Sequence, residues 1–203
     1  LISSILVIGT IVVFKQTDFL KTGAPGFNPM NIIELSLPSD FRDQKTNTLK
    51  DRLLDITGVI SVGGNDKGFL GNTSTYHVRN TKEDLHEVRI IRIDDGFINT
   101  MEISILEGED FSHRNLTNTN DEVIVNETFL SVMDIRQAIG AEAEILSLGQ
   151  VRIKGVVKDF HFDTMRDEIQ PLILIPNTGY EVIRWLYIKY DGNSAPVIIR
   201  KIE

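Results

Sequence analysis

The chain is cut into short stretches of alternating side chains, and that pattern limits its fold more than any other feature. "STYHVRN" from Ser74 and "EVRIIRID" from Glu87 interleave apolar and polar residues, as strands with one buried and one wet face do. "NIIELSL" (Asn31 to Leu37), "VISV" (Val59 to Val62), "EVIVN" (Glu122 to Asn126) and "RWLYIKY" (Arg184 to Tyr190) are of the same kind. Pro171 and Pro176 bracket the apolar run "LILI", while "AIGAEAEIL" and "QVRIKGVVKDFHFD" read as further strands, the second bending at Gly155. Helical spacing is rarer. One helix is expected from Asp40 to Ile56, capped by Ser39 and striped by Phe41, Leu49, Leu53 and Ile56. A short turn of helix lies in "DDGFINTMEISILEGEDFS", another runs from Glu127 to Met133 with Phe129, Leu130 and Met133 inward, and a last one begins "APVIIRKIE" behind Ser194. Strands outnumber helices without alternating strictly with them, so the expected class is α+β.

The first residues are of a different character. "LISSILVIGTIVVF", Leu1 to Phe14, carries no charge and no proline before Lys15. As helix it covers about 21 Å, short of the roughly 30 Å hydrocarbon core. There is no basic n-region and no small-residue cleavage site before "KQTDFLKTGAPGF", so a signal peptide is not indicated. The run reads as the end of a transmembrane helix, continuing to Leu20 and stopping at the breaker cluster "TGAPGFNP". A buried helix of a soluble protein is the alternative.

Composition excludes several classes. The 203 residues carry a net charge of −8, and no local cluster of Lys and Arg offsets it, whereas a nucleic-acid backbone calls for a basic surface. Cysteine is absent, which removes disulfides, thiolate metal sites and cysteine nucleophiles. "GGNDKGFLGNTS", Gly63 to Ser74, is rich in Gly and Asn, but Lys67 precedes Gly68 and Phe69 instead of a Ser or Thr opening a helix. That departs from a phosphate-binding loop, and a surface loop is expected. "HRNLTNTND", His113 to Asp121, is polar without period and reads as another loop.

"GVVKDFHFD", Gly155 to Asp163, offers the one metal-ligand pattern. As a strand it would place Val157, Asp159, His161 and Asp163 on one face, and Val156, Lys158, Phe160 and Phe162 on the other. A row of Asp159, His161 and Asp163 could grip a cation, yet no second histidine lies nearby to complete a ligand set. Burial of the phenylalanines explains the same pattern. The other histidines, His77, His86 and His113, form no helical pair around a glutamate, and no serine sits in a glycine-flanked elbow. Asp94, Asp95, Glu107, Glu109 and Asp110 could act as general acid and base, but they flank Gly96 and Gly108, where exposed turns belong. "NTS", "NLTN" and "NET" match the N-glycosylation pattern at Asn72, Asn115 and Asn126. No catalytic, cofactor-binding or metal site is expected from these residues.

Several separated stretches nevertheless coincide with one family. "GVVKDFHFDTMRDEIQPLILI", Gly155 to Ile175, resembles the most recognisable segment of the MacB/FtsX-type ABC transporter permeases of Bacteroidetes-like bacteria. "IDDGFINTMEISILEGEDFS" is similar to the family's stretch in which an aspartate and an aromatic precede a helix, a strand and a Gly-x-Asp-Phe turn, here Gly108 to Phe111. "VIVNETF", Val123 to Phe129, matches the family's Asn-Glu at a strand-to-helix junction. "AIG", Ala138 to Gly140, stands where the family usually has Pro-Ile-Gly. "FKQTDFLKTGAPGFNP" is similar to a membrane helix leaving the bilayer into an extracytoplasmic domain.

The resemblance implies a periplasmic domain between two membrane helices of a permease subunit in the bacterial inner membrane. Residues 1–20 would end a transmembrane or stalk helix. Residues 21–89 and 150–203 would form a porter-like part, with residues 90–149 as a smaller inserted α/β lobe. Such a domain would transmit ATP-driven motion without catalysis of its own. Its implied partners are a second permease subunit, a cytoplasmic ABC ATPase and a periplasmic accessory protein, with no nucleic acid and no cofactor. The alternative is a membrane-tethered extracytoplasmic sensor or ligand-binding domain, and the rival from another class is a soluble enzyme or ligand-binding protein with Leu1 to Phe14 as a buried helix.

Overall fold

A computed structural model describes residues 26–38, 43–68, 73–80, 83–111, 121–163, 168–177 and 183–202. The apolar run from Leu1, Ser39, Phe41, His113 with most of its loop, and the sequons at Asn72 and Asn115 lie outside the described residues. The strands are β1 (Ile32–Ser36), β2 (Val59–Asn65), β3 (Ser74–Arg79), β4 (Leu85–Ile93), β5 (Ile105–Gly108), β6 (Glu122–Asn126), β7 (Glu142–Ile145), β8 (Gly149–Val157), β9 (Leu172–Pro176) and β10 (Trp185–Tyr190). The helices are α1 (Asp43–Leu54), α2 (Phe97–Thr100), α3 (Glu127–Val132) and α4 (Ala195–Ile202). The mixture bears out an α+β chain. Among the described residues no helix is long and apolar enough to cross a membrane.

The pairings divide the strands into two groups. β3 and β4 form a hairpin in the register Ser74↔Ile90 to Arg79↔Leu85. From there the order runs β4, β3, β7, β8, β6, β9, and β9 returns to β4 in parallel. Six strands therefore close into a ring, which leaves no open edge along that circuit. β5 pairs with β8 beside β7. The second group is the antiparallel sheet β1, β10, β2. It joins the ring through one bridge, Asn65↔Ile93 of β2 and β4.

Three apolar clusters follow this division. The ring encloses Val78, Val88, Ile90, Val123, Val125, Ala143, Ile145, Val151, Ile153, Val156, Ile173 and Ile175, and α3 with its C-cap adds Phe129 and Met133. The three-stranded sheet packs Val62, Leu186 and Ile188 against Leu53 of α1 and Ile198 of α4. Between them a junction core gathers Phe97, Ile98, Met101, Ile103, Phe111, Phe160, Phe162, Leu174 and Tyr187. Each buried ring or branched chain contributes about 1.5–3 kcal/mol.

Two expectations fail here. Gly63 to Ser74 is not a surface loop throughout: β2 runs on to Asn65, and Gly63 to Asp66 are buried. The reason is contact: a Cβ on Gly63 would sit 2.5 Å from the backbone of Gly96 and Phe97, so only glycines let the two segments meet. The strand expected to reach Asp163 stops at Val157. Its neighbour β6 becomes α3 after Asn126, so the ladder loses its partner. Alternation fails with it. Val156 and Val157 are both buried, one in the ring and the other in the junction core. The bend expected at Gly155 is present as a register shift, Ile153 and Gly155 facing consecutive residues of β6.

Candidate functional site

Three of the segments that carry the family resemblance, those around Phe97, Ile124 and Phe160, meet at the junction core. Asn126 ends β6 in extended conformation and is the N-cap of α3, its Oδ1 accepting from Phe129 N at 3.0 Å. The same oxygen accepts from Leu172 N at 2.8 Å, and Nδ2 donates to Gln170 O at 3.0 Å. One fully buried amide thus ties a helix start to the beginning of β9. The sequon at Asn126 is therefore closed to modification in the folded chain.

Asp159 completes the same knot. Its Oδ1 accepts from Thr128 N at 3.0 Å and its Oδ2 from Thr128 Oγ1 at 2.7 Å. Its own N–H donates to Glu127 Oε2 at 3.0 Å. A carboxylate at a helix start satisfies orphan N–H groups, and this one is a helix-start anchor. It is not aligned with His161 and Asp163 on a strand face. Among the described residues no group of three His, Asp or Glu side chains is placed to hold a metal ion.

His161 and Asp163 instead line a cleft of about 410 Å³ with Arg89, Glu168, Ile169 and Gln170, closed behind by Phe160 and Phe162. Those rings meet edge to face at 5.8 Å. Arg89 donates from Nη1 to Thr75 Oγ1. The cleft falls within the size range of small-ligand sites, and among the described residues its lining brings together no nucleophile and base. Of the other histidines, His77 is exposed on β3, and His86 Nε2 lies 3.1 Å from Asn80 Nδ2.

The carboxylates proposed as an acid and base group are not one group. Asp94 and Asp95 both face Lys50 of α1, at 2.7 and 2.9 Å from its Nζ, and Asp94 Oδ1 also accepts from Gly96 N. Burial alone would lower the Lys50 ammonium, but the charges and hydrogen bonds of the two aspartates outweigh it and hold it above its ordinary range. Burial pushes the Asp94 carboxyl up, against the pull of Lys50. Glu107 stands exposed on β5, and Glu109 is held through its N–H on Lys154 O. Such a pair restrains structure and offers no vacant base.

A second ion pair was not anticipated. Lys189 of β10 reaches Glu102 Oε1 at 2.9 Å, and Asn28 Nδ2 donates to Glu102 Oε2 at 2.6 Å. The Lys189 ammonium, then the hydrogen bond from Asn28, hold the Glu102 carboxyl below its ordinary range. For Lys50 a sequence signal existed. Thr46, Lys50 and Leu53 share the buried side of α1 at helical spacing, so a lysine occupies a core position. For Lys189 and Glu102 no pattern links two residues so far apart.

No protein-family model matches the sequence, and no curated protein sequence matches it either. Solved structures do match in fold. The periplasmic region of MacB from Actinobacillus actinomycetemcomitans superposes with a TM-score of 0.60 at 13% identity, over 90% of this chain and 85% of that one. The extracellular domain of the noncanonic ABC-type transporter YknZ from Gram-positive bacteria gives 0.59 at 13% identity, over 83% and 88%. A domain of a protein described as a permease from Porphyromonas gingivalis gives 0.53 at 12% identity, over 84% and 78%. This chain therefore has the fold of a MacB-like extracytoplasmic domain.

Proposed function

We propose that this chain is the extracytoplasmic domain of an ABC transporter permease subunit, carrying ATP-driven conformational change from the membrane into the periplasm. The fold shared with the MacB and YknZ domains is the observation that carries the reading. The pairing of the first and last strands supports it. Ile32 at the start of β1 pairs with Lys189 near the end of β10, and Tyr190 N donates to Asn31 O at 3.0 Å. The incoming and outgoing segments thus lie side by side, as a module held by two adjacent membrane helices needs.

On this reading β1, α1, β2, β10 and α4 are the porter-like part, and the strand ring is the inserted lobe. The lobe then spans β3 to β9, wider than residues 90–149. The work is displacement of a lipoprotein, peptide or small amphipathic cargo, or activation of a periplasmic partner, and the domain does no chemistry itself. A second permease subunit and a cytoplasmic ATPase are its implied partners, in the bacterial inner membrane. The alternative, a tethered sensor, draws on the cleft beside His161.

The test is the permease reconstituted with its ATPase and spin-labelled at exposed positions Asp51 and Gln150 in two subunits. ATP with vanadate should change the inter-subunit distances. Distances indifferent to nucleotide, with a small molecule protecting the cleft from exchange, would favour the sensor.

A further inference from the structure

Among the described residues the three-stranded sheet and the strand ring share one backbone bridge, with Asp66 beside it accepting from Arg92 N at 3.0 Å, yet the segment between β4 and β5 binds to the sheet at several further points. At one end, Lys50 of α1 holds Asp94 and Asp95. In the middle, Gly96 lies so close to β2 that a Cβ there would be 2.2 Å from Val62 O, and Phe97 meets Tyr187 of β10 edge to face at 5.7 Å. At the other end, Lys189 of β10 holds Glu102. Residues 94–103 are joined covalently to the ring through β4 and β5, but the carboxylates Asp94, Asp95 and Glu102 are held by lysines of α1 and β10.

The incoming chain joins the same clamp. Asn28 N donates to Met101 O at 2.9 Å and its side chain to Glu102, before the chain reaches β1. Gly26, at φ +80°, presses on Asp159 O and Phe160, where a Cβ would stand 2.4 and 2.6 Å away. A displacement arriving from residue 26 onward therefore meets the clamped segment and the exit of β8 before it meets the sheet ladder.

We propose that residues 94–103 form a strap that sets the orientation of the three-stranded sheet against the ring, with Lys50 as its fixed end and Asn28–Glu102–Lys189 as its actuated end. Motion of the incoming chain loads the strap through Asn28, and the bodies turn about the Asn65↔Ile93 bridge when the Lys50 end yields. Two packed bodies with one backbone bridge and a polar clamp suit two discrete arrangements, and a buried ion pair can serve register better than stability.

The test needs no transport assay, so it fails separately from the functional reading. The full chain carries spin labels at Asp51 on α1 and Gln150 on β8, both exposed, and amide exchange is followed by peptide. Lys50→Met should broaden the distance distribution and raise exchange in residues 94–103 at least tenfold, leaving peptides 123–126 and 151–157 unchanged. Asp95→Asn removes one arm at an exposed side chain and should give a smaller rise in the same peptide. Asn28→Ala alone should release only the far end, and combined with Lys50→Met it should act more than additively. A single narrow distribution in every variant would overturn the proposal. So would exchange rising equally in the ring peptides, or additive effects of the two substitutions. If Lys50→Met does not fold, Asp95→Asn combined with Asn28→Ala carries the same test.

Discussion

Replacing Asn126 by alanine isolates the knot at the end of β6. The amide is fully buried and makes three hydrogen bonds, to Phe129 N, Leu172 N and Gln170 O. Truncation leaves two N–H donors and one carbonyl without that partner in the junction. Each buried orphan costs about 1–3 kcal/mol, the lost N-cap being one of the three. Water entering the space left by the amide recovers part of the loss, so the expected destabilisation is about 3–5 kcal/mol. That is a large share of the roughly 5–15 kcal/mol available to a domain. At 2–4 °C per kcal/mol it lowers the melting temperature by about 6–20 °C. The assay is urea unfolding of the chain followed by the fluorescence of Trp185, beside Asn126→Asp. Aspartate keeps the acceptor for both N–H groups but sets its second oxygen against Gln170 O in a buried site. It should therefore unfold between wild type and alanine only at a pH low enough to protonate it, where its O–H can donate to that carbonyl. A loss below about 1 kcal/mol for Asn126→Ala would refute the assignment of this amide as a structural tie.

Asp159→Ala should cost about 1–2 kcal/mol through the start of α3, with Asp159→Asn nearer wild type, and zinc should leave the wild-type midpoint unmoved; a zinc-dependent rise would restore the metal reading. Gly96→Ala forces a Cβ onto the Val62 carbonyl and should cost about 3 kcal/mol, seen as a melting temperature lower by about 6–12 °C. Glu102 has a depressed folded pKa, so its stabilisation is full above the ordinary value of 4.5 and is lost as pH falls through the lower folded value. The gap in urea midpoint between wild type and Lys189→Met should accordingly be full at pH 6 and shrink below 4.5; a gap constant down to pH 3 would refute the pairing.

Local physics made much of this fold readable. Alternation in "STYHVRN", "EVRIIRID" and "RWLYIKY" identified β3, β4 and β10, because a half-buried strand imposes its period on the sequence. The passage from the strand "EVIVN" into a helix at Glu127 was readable too, whereas the Asn-Glu there stood out only through the resemblance and its role as a cap came from the structure. What alternation could not express was a strand buried on two sides. Val156 and Val157 lie in different cores, so neither faces water and the period vanishes. The strand expected through Asp163 then stops early, since its end depends on where β6 becomes helix, a fact about a neighbour.

The candidate site shows the same limit. Asp159 looked like a ligand beside His161 because one segment of sequence was read alone, whereas its oxygens are spent on Thr128, 31 residues away in the chain. Lys50 sits at a core-facing spacing of its helix that the expected stripe of Phe41, Leu49, Leu53 and Ile56 passed over, and nothing local named Asp94 and Asp95 as its partners. By itself, then, the sequence determined the class of the elements, most of their bounds and which residues must be buried, since those follow from periods of 2 and 3.6. Only the tertiary structure decided that six strands close on themselves, that a three-stranded sheet meets them at one bridge, and which charges hold the two together. Closure and clamping arise between segments far apart in the chain, and no period within one segment encodes them.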